Sequence, residues 1–387
     1  MEVLSIGEKI KRARVYKGLT LKDVCGSEVS VSKLSCIENG KIVPEQRILE
    51  SISKKLDLDL NYLNQGIDSQ INMNIKSLLK DSISNELIKE LRYNLEAAIK
   101  YGYNDLAFSI MHEIFEALLK INDFKSVQEL IGEYYDLRNK SSEKAQKLLY
   151  YMDVGKFFYK NKEYAQAMNY FSNIRKIVLE SDTKDYSVLA DSIYGEALCN
   201  FKLKNYIKAY EISSKLNDLF EYVEDSSKKA KMYHMMANIS LRTNDDKFEY
   251  YEAMAYDMYG TKIDYKAKSI FNYASTMFDI GIKDKAIEYI KKALDIYPNE
   301  DTDNLVNFML LCTEELVNNE IIEEAEKINE NALNYSIQLD NIKLIEKAYY
   351  LKAKILKKMN SLISAEMYMN LSIDALTKFG TKKEIHQ

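Results

Sequence analysis

The chain has no tryptophan, only two prolines and only twelve glycines in 387 residues. With so little turn and strand punctuation, sandwiches, barrels and alternating α/β folds are excluded, and an all-α fold is expected. Four cysteines, Cys25, Cys36, Cys199 and Cys312, show neither metal-type nor redox-type spacing. They read as small apolar residues in a reducing compartment, with Cys36 the one candidate for redox chemistry. The three histidines, His112, His234 and His386, are far apart and none stands in an HExxH pattern. The glycines are scattered, and Gly40-Lys41 lacks the spacing of a phosphate loop. Acidic runs such as residues 320–331 suit the solvated face of a helix. No metal, no cofactor and no enzymatic activity is therefore expected. No apolar run is long enough to span a bilayer, and Lys9, Lys11, Arg12 and Arg14 interrupt the first segment. These features predict a cytoplasmic protein with no membrane partner.

What is present begins at residues 5–66, where apolar positions fall at helical spacing in five short runs separated by breakers. Ile6, Ile10 and Ala13 mark one face of a first helix that Gly18 ends. Thr20 caps a second helix carrying Leu21, Val24 and Cys25, and Ser30 caps a third. In the third helix Val31, Leu34 and Ile37 face inward, and Ser32, Lys33, Ser35 and Cys36 lie on the outer side. Asn39-Gly40 stops it. Pro44 opens a fourth helix with Ile48, Leu49, Ile52 and Leu56 inward, and Leu60 to Leu63 form a fifth. The second helix, a tight turn and the third helix make a helix-turn-helix, the arrangement that sets a recognition helix in the major groove of DNA.

Charge agrees with that reading. Residues 1–47 hold nine lysines and arginines against six acids, whereas the whole chain is −5. The locally basic surface thus lies on the DNA-binding candidate. A balance this modest predicts weak binding by one copy, and so a homodimer on a pseudo-palindromic site in double-stranded operator DNA. Ser32, Lys33 and Cys36 are the candidates for base edges; Arg14, Lys22, Ser30, Ser35 and Lys41 are those for phosphates. Glu38, a carboxylate that phosphates would repel, is expected to cap or pair inside the domain.

Residues Leu19-Thr20 and 29–44, VSVSKLSCIENGKIVP, resemble the XRE-type helix-turn-helix family, with Ser30, Ser35, Ile37, Glu38, Gly40 and Pro44 in register. Leu21 stands where that family usually has Gln, and Cys36 where it often has Arg. The turn before Ser30 is one residue shorter than in most phage-repressor relatives. In this it looks like the RNPP family of peptide quorum-sensing regulators.

From about residue 105 onward a tetratricopeptide-like repeat emerges. The best copy is residues 265–298, with Ala274, Ala286, Ala293 and Pro298 at repeat spacing; residues 150–171 repeat it with Gly155, Tyr164, Ala167 and Phe171. A small residue on the first helix of each pair (helix A) lets its partner (helix B) approach, and an aromatic fills the seam. Equivalent small sites fall at Ala197, Ala237, Thr313 and Ala353, in steps of 42, 40, 37, 39 and 40 residues from Gly155. These exceed the usual spacing of about 34, so longer helices or loops are expected. A degenerate copy surrounds Phe115.

The expected architecture is thus a five-helix helix-turn-helix domain (1–66), a linker helix (67–82) and a right-handed tetratricopeptide-like superhelix (83–380). The A helices of such a stack line a concave groove that suits a short linear peptide. Projection of the repeat places Tyr159, Tyr194, Phe201, His234, Asn238, Arg242, Phe271, Ser275, Phe278, Asn307, Tyr350 and Lys354 on that face, with Asn200 and Asn272 beside them. An asparagine both donates to and accepts from a peptide backbone, and Arg242 and Lys354 suit a carboxylate.

Head and repeats together resemble the RNPP family along nearly the whole chain. The resemblance implies a cytoplasmic transcription regulator that dimerises through its repeats and is switched by a short signalling peptide in quorum sensing. Two other readings share the architecture: a repeat receptor acting mainly on a protein partner, and a phage arbitrium-type lysis-lysogeny peptide receptor.

Overall fold

The computed structural model describes residues 2–26, 28–80, 82–182, 184–299 and 302–384; His386 lies outside them. Among the described residues every regular element is helical, and no strand forms. Two compact units result, Met1–Ile174 and Arg175–Gln387.

The first unit opens with α1 (Ile6–Tyr16), α2 (Leu21–Val24), α3 (Val31–Glu38), α4 (Gln46–Leu56) and α5 (Leu60–Asn64). Their starts follow from local chemistry. Ser5 with Glu8 and Thr20 with Asp23 form complete capping boxes, and the Ser30 hydroxyl accepts from the Lys33 amide. Gly18 and Gly40, both at φ +69°, turn the chain after α1 and α3. Ile10, Val24, Leu34, Ile37, Ile48, Leu49, Ile52, Leu56 and Leu63 close one core, as their spacing predicts. Two expectations are corrected. Val31 is 38% exposed, because it occupies the first helical position of α3, beyond the cover of the other helices. Pro44 precedes α4 rather than opening it, since Glu45 takes the cap position and the helix begins at Gln46.

Next come α6 (Ile67–Leu78), α7 (Asn85–Lys100), α8 (Asn104–Lys120), α9 (Phe124–Lys140), α10 (Lys144–Lys160) and α11 (Tyr164–Glu180). The expected linker helix, α6, is packed rather than free. Its Ile67 and Ile71 share a core with α7–α10, and its buried Asn74 donates to Asn94 Oδ1 on α7 at 2.9 Å. The copy around Phe115 is the pair α8–α9, with Phe115 fully buried.

The second unit continues the pairing: α12 (Tyr186–Lys202) with α13 (Tyr206–Ser213), α14 (Ser226–Thr243) with α15 (Phe248–Tyr259), α16 (Ile263–Asp279) with α17 (Lys283–Ile296), α18 (Thr302–Asn318) with α19 (Ile322–Gln338), and α20 (Ile342–Lys358) with α21 (Leu362–Glu384). Two 3₁₀ turns, Ser214–Asp218 and Phe220–Tyr222, lengthen the α13–α14 connection, one source of the long repeat step. Within pairs the turns share a device, one residue in the left-handed region. Asn122, Lys162, Lys204, Asn244, Gly281, Glu320 and Asn360 all have φ between 55° and 85°.

The six predicted small residues, Gly155, Ala197, Ala237, Ala274, Thr313 and Ala353, are all buried, each on the A helix of its pair. At Gly155 the fit is closest. A methyl group there would stand 2.9 Å from Phe171 Cε1, the aromatic expected to fill this seam. Gly132, exposed on α9, has nothing within 4 Å of the same position. The two glycines therefore answer oppositely to alanine. Gly155→Ala lowers stability by about 1–3 kcal/mol through overpacking. Gly132→Ala raises it by about 0.5–1 kcal/mol through backbone entropy. Urea unfolding of both variants checks the pair of signs.

Candidate functional site

Two surfaces carry the residues singled out by sequence. On the first, α3 presents Ser30 and Ser32 fully outward and Lys33, Ser35 and Cys36 half-buried, with Lys22 and Lys41 exposed on either side of it. Lys33 Nζ stands 3.7 Å from Glu45, and Arg47 Nε 3.4 Å from Glu28. Arg14 is corrected as a phosphate candidate. Its Nε and Nη2 donate to the two Glu38 oxygens at 2.7 and 2.8 Å, and Nη1 donates to the Leu19 carbonyl at 2.9 Å. With Arg14 14% and Glu38 4% exposed at the side chain, the guanidinium is spent inside the domain. The hydrogen bond from Arg14 to Glu38 is the main reason its pKa rises above the ordinary value. Glu38 thus pairs within the domain, as expected. Lys9 is also interior: its ammonium donates to the carbonyls of Tyr62 and Gln65 at 2.6 and 2.8 Å, and burial lowers its pKa. The surface charge of the head is correspondingly smaller than a residue count suggests.

The second surface runs across α14, α16 and α18. His234 and Asn238 sit one turn apart on α14, and the Asn238 amide nitrogen lies 3.3 Å from His234 Nε2. Asn272 on α16 reaches the same ring nitrogen at 3.4 Å, and Thr276 Oγ1 donates to Asn238 Oδ1 at 2.9 Å. Burial lowers the His234 pKa to about 4, so the imidazole is neutral near pH 7. Further along, Glu315 of α18 accepts from Asn319 at 3.3 Å and is bonded by Ser275. Burial raises the Glu315 pKa, and the Asp279 carboxylate adds to the rise. At the other flank Arg242 pairs with Asp279 and lies 5.2 Å above the Tyr206 ring, itself edge-on to Phe201 at 5.5 Å. Its Nε is buried with no hydrogen-bond partner.

Of the fourteen residues predicted for a peptide, the fold therefore joins Phe201, His234, Arg242, Asn272 and Ser275 in one row, whereas Asn238 is corrected: at 7% exposed it is buried behind the row, where it accepts from Thr276. Three further predictions are corrected. Phe271 is buried and packs edge-on to Phe308 at 5.9 Å, and Phe278 is 5% exposed. Asn200 is 1% exposed and donates to the Glu196 carbonyl one turn back. All three belong to the packing between helices. Their helical phase was right to within one position, and one position is about 100° of helix rotation. Tyr194 is half-exposed on α12, and Asn307 is exposed on α18, where it donates to the Asp303 carbonyl. Lys354 Nζ covers the Tyr350 ring at 4.6 Å on α20. Tyr159, in the first unit, packs on Tyr164 at 5.5 Å. Sequence reasoning missed Tyr206, Thr276, Asp279, Glu315 and Asn319; a four-residue step from Asn272 and Ser275 leads to Thr276 and Asp279.

It also missed a buried charge network in the first unit. Asp153, fully buried on α10, receives His112 Nδ1 at 2.6 Å, Tyr134 Oη at 2.8 Å and Lys156 Nζ at 3.4 Å. Lys156 also donates to Glu116 at 2.7 Å. His112 and Glu116 come from α8, Tyr134 from α9, so one carboxylate ties three helices. Among the described residues no group of three His, Cys, Asp or Glu side chains is arranged to hold a metal ion. No described helix is long and apolar enough to cross a membrane.

The fold defines an all-helical protein in which a small capped-helix head precedes stacked helix pairs. No family model and no curated protein matches the chain. Solved structures that resemble it include PlcR of Bacillus thuringiensis in complex with the peptide PapR7 and DNA, at 15% identity and TM-score 0.40, covering 66% of this chain and 94% of that one. The quorum sensor NprR of B. thuringiensis is 14% identical at TM-score 0.45, covering 80% and 100%. Aspartyl phosphate phosphatase F of Bacillus subtilis is 15% identical at TM-score 0.46, covering 97% and 95%. Likenesses this distant carry no conclusion about site or activity.

Two predictions follow from these geometries. Arg14→Ala strands the buried Glu38 carboxylate and costs about 3 kcal/mol of head stability, whereas Lys41→Ala, at an exposed site, leaves the melting curve unchanged. Differential scanning calorimetry separates them. For His112, burial works against protonation, but the hydrogen bond and charge of Asp153 outweigh it, so the folded pKa lies above 6.5. The pair therefore stabilises fully below about pH 6.5 and loses that contribution as pH rises through the raised folded pKa. Urea midpoints of the wild type should fall across that window, and the fall should be absent in His112→Gln.

Proposed function

We propose that this chain is a transcription regulator, working inside the cell, that binds operator DNA as a homodimer through α3 and is switched by a short linear peptide held along α14, α16 and α18. The observation that carries the DNA half is α3 itself. It is capped by Ser30, braced from behind by the Arg14–Glu38 pair, and leaves Ser32 exposed and Lys33 half-exposed, with Lys22 and Lys41 exposed before and after it in the chain. A braced helix with short hydroxyl and cationic groups on its outer face suits base edges and phosphates in a major groove.

Supporting the peptide half are Asn272, exposed on α16, and the partly exposed His234 and Asn319, whose amides and neutral imidazole offer donors and acceptors on successive pairs, with the buried Asn238 and Thr276 holding one another behind them. Such a row matches the alternating amides and carbonyls of an extended backbone. The mechanism is a population shift: peptide binds one arrangement of the dimer better than another, and DNA affinity changes by the ratio. The protein acts by binding and carries out no reaction.

The test is fluorescence anisotropy of labelled duplexes from the DNA flanking the gene, with and without synthetic peptides encoded by nearby small open reading frames. Specific binding that Lys33→Glu abolishes, and that one peptide shifts tenfold, corresponds to about 1.4 kcal/mol of coupling. Peptide binding should weaken in Asn272→Ala, at an exposed position, while DNA binding without peptide persists. With Arg12, Lys17 and Arg47 paired with neighbouring acids, the slope of log K against log salt should be shallow, about −3 per bound head. Binding by Lys33→Glu equal to the wild type would sink the DNA half and favour a receptor for a protein partner.

A further inference from the structure

Val3 does not belong to the core of the head. It is 6% exposed and lies in the apolar cluster built by α6–α10, together with Ile67, Ile71, Leu87 and Leu91. The head closes its own separate core from Ile10 onward. A residue three positions before α1 is therefore plugged into the neighbouring layer of helices, and the backbone beside it is gripped there. The Val3 amide donates to Tyr93 Oη of α7 at 3.2 Å. Gln70 of α6, itself 8% exposed, accepts from the Leu4 amide at 3.1 Å and donates to the Leu4 carbonyl at 2.9 Å, so one side-chain amide satisfies both polar groups of that residue. The same Gln70 nitrogen lies 3.0 Å from the Gln65 carbonyl, which also receives Lys9 of α1.

One step further on, the Glu8 carboxylate serves two elements at once. It closes the capping box of α1 by accepting from the Ser5 amide at 2.8 Å, and it accepts from Tyr101 Oη at 2.7 Å and Lys100 Nζ at 3.3 Å at the end of α7. Burial works against its ionisation, but the bonds from Ser5, Tyr101 and Lys100 overcome this and hold its pKa at about 2. The junction therefore stays charged and intact across the physiological range.

From α1 the path to the DNA-reading helix is direct. A methyl group on Gly7 would stand 2.2 Å from the Ile37 carbonyl oxygen and 3.0 Å from that of Glu38, so α1 rests against the last turn of α3. Arg14, two turns along α1, pairs with Glu38 on the same turn. Gln70, Tyr93 and Tyr101 hold residues 3–8, and residues 7 and 14 hold the end of α3.

We propose that residues 2–5 are a strap that locks the head onto α6 and α7 in a single orientation, with α1 as the rigid coupler to α3. The covalent α5–α6 connection is then not the element that aims the recognition helix. A signal from the repeats reaches α3 by moving α6 against α7, and with them Gln70, Tyr93 and Tyr101. The locking contact stands on its own geometry; that it aims a DNA-reading helix rests on the function proposed above.

The experiment is backbone ¹⁵N relaxation on the full chain, comparing rotational correlation times of head amides (α1–α5) with those of α7–α9. The wild type should give one common value. In Gln70→Ala/Tyr101→Phe, which leaves the α1 capping box untouched, head amides should keep their chemical-shift dispersion while their correlation time falls at least about twofold. Val3→Ser, which removes the plug and none of the side-chain bonds, should do the same. Independent tumbling of the wild-type head overturns the strap, as does common tumbling in both variants. Binding to a 20-base-pair duplex, run alongside, should weaken in both variants although neither touches the outer face of α3, because a freed head must be ordered again on the DNA; unchanged binding would overturn the strap's part in aiming α3. A wild type that tumbles as one body yet binds no duplex overturns the DNA reading and leaves the lock standing.

Discussion

The closeness of paired helices at one small residue is the constraint on which the rest of this structure depends. Gly155, Ala197, Ala237, Ala274, Thr313 and Ala353 recur on successive A helices, and all are buried. A larger side chain at any of them would push the B helix outward, and interiors packed to crystalline density do not absorb such a shift. The register of each A helix is set by that contact, and the register decides which side chains remain outside. His234 and Asn238 flank Ala237, and Asn272, Ser275 and Thr276 flank Ala274. The polar row is thus a by-product of where the small residues must sit.

Charge is used in this protein more for assembly than its sequence advertises. Lys9 caps the end of α5, Arg14 braces α3 through Glu38, and Asp153 gathers His112, Tyr134 and Lys156 from three helices. Each of these groups would be costly if left buried alone, and each is matched by hydrogen bonds that satisfy it. Such pairs fix geometry tightly because any displacement exposes an unmet charge. Lys9 and Arg14 are withdrawn in this way, whereas Lys11, Arg12, Lys17, Lys22, Lys41 and Arg47 stay exposed, Arg12, Lys17 and Arg47 of them paired with Glu2, Asp57 and Glu28.

The row across α14, α16 and α18 has a different character. Its imidazole is neutral, its amides are bonded to one another, and its charged members, Arg242 with Asp279 and Glu315, lie at the flank. Groups that already satisfy one another exchange partners at little cost when a ligand offers equivalent bonds.

Much of this was legible in one sequence. The scarcity of proline and glycine dictates helices, caps such as Thr20 and Ser30 mark where they start, and the spacing of small residues dictates the pairing. These are local or periodic properties, carried by neighbours within a turn or by a repeat, and so the chain alone determines them. Only the tertiary structure decided which polar residues are spent inside. Arg14 looks like a phosphate contact, and Lys9 counts toward the basic surface, until Glu38 and the carbonyls of Tyr62 and Gln65 come within 3 Å. Phe271, Phe278 and Asn200 differ from true surface positions by about one residue of helical phase, which is beyond the resolution of a pattern. The anchoring of Val3 among α6–α10, and the meeting of Glu8 with Tyr101, join residues about ninety positions apart. No local signal encodes such a contact, because it exists only once separate helices have packed and their leftover donors and acceptors must find partners.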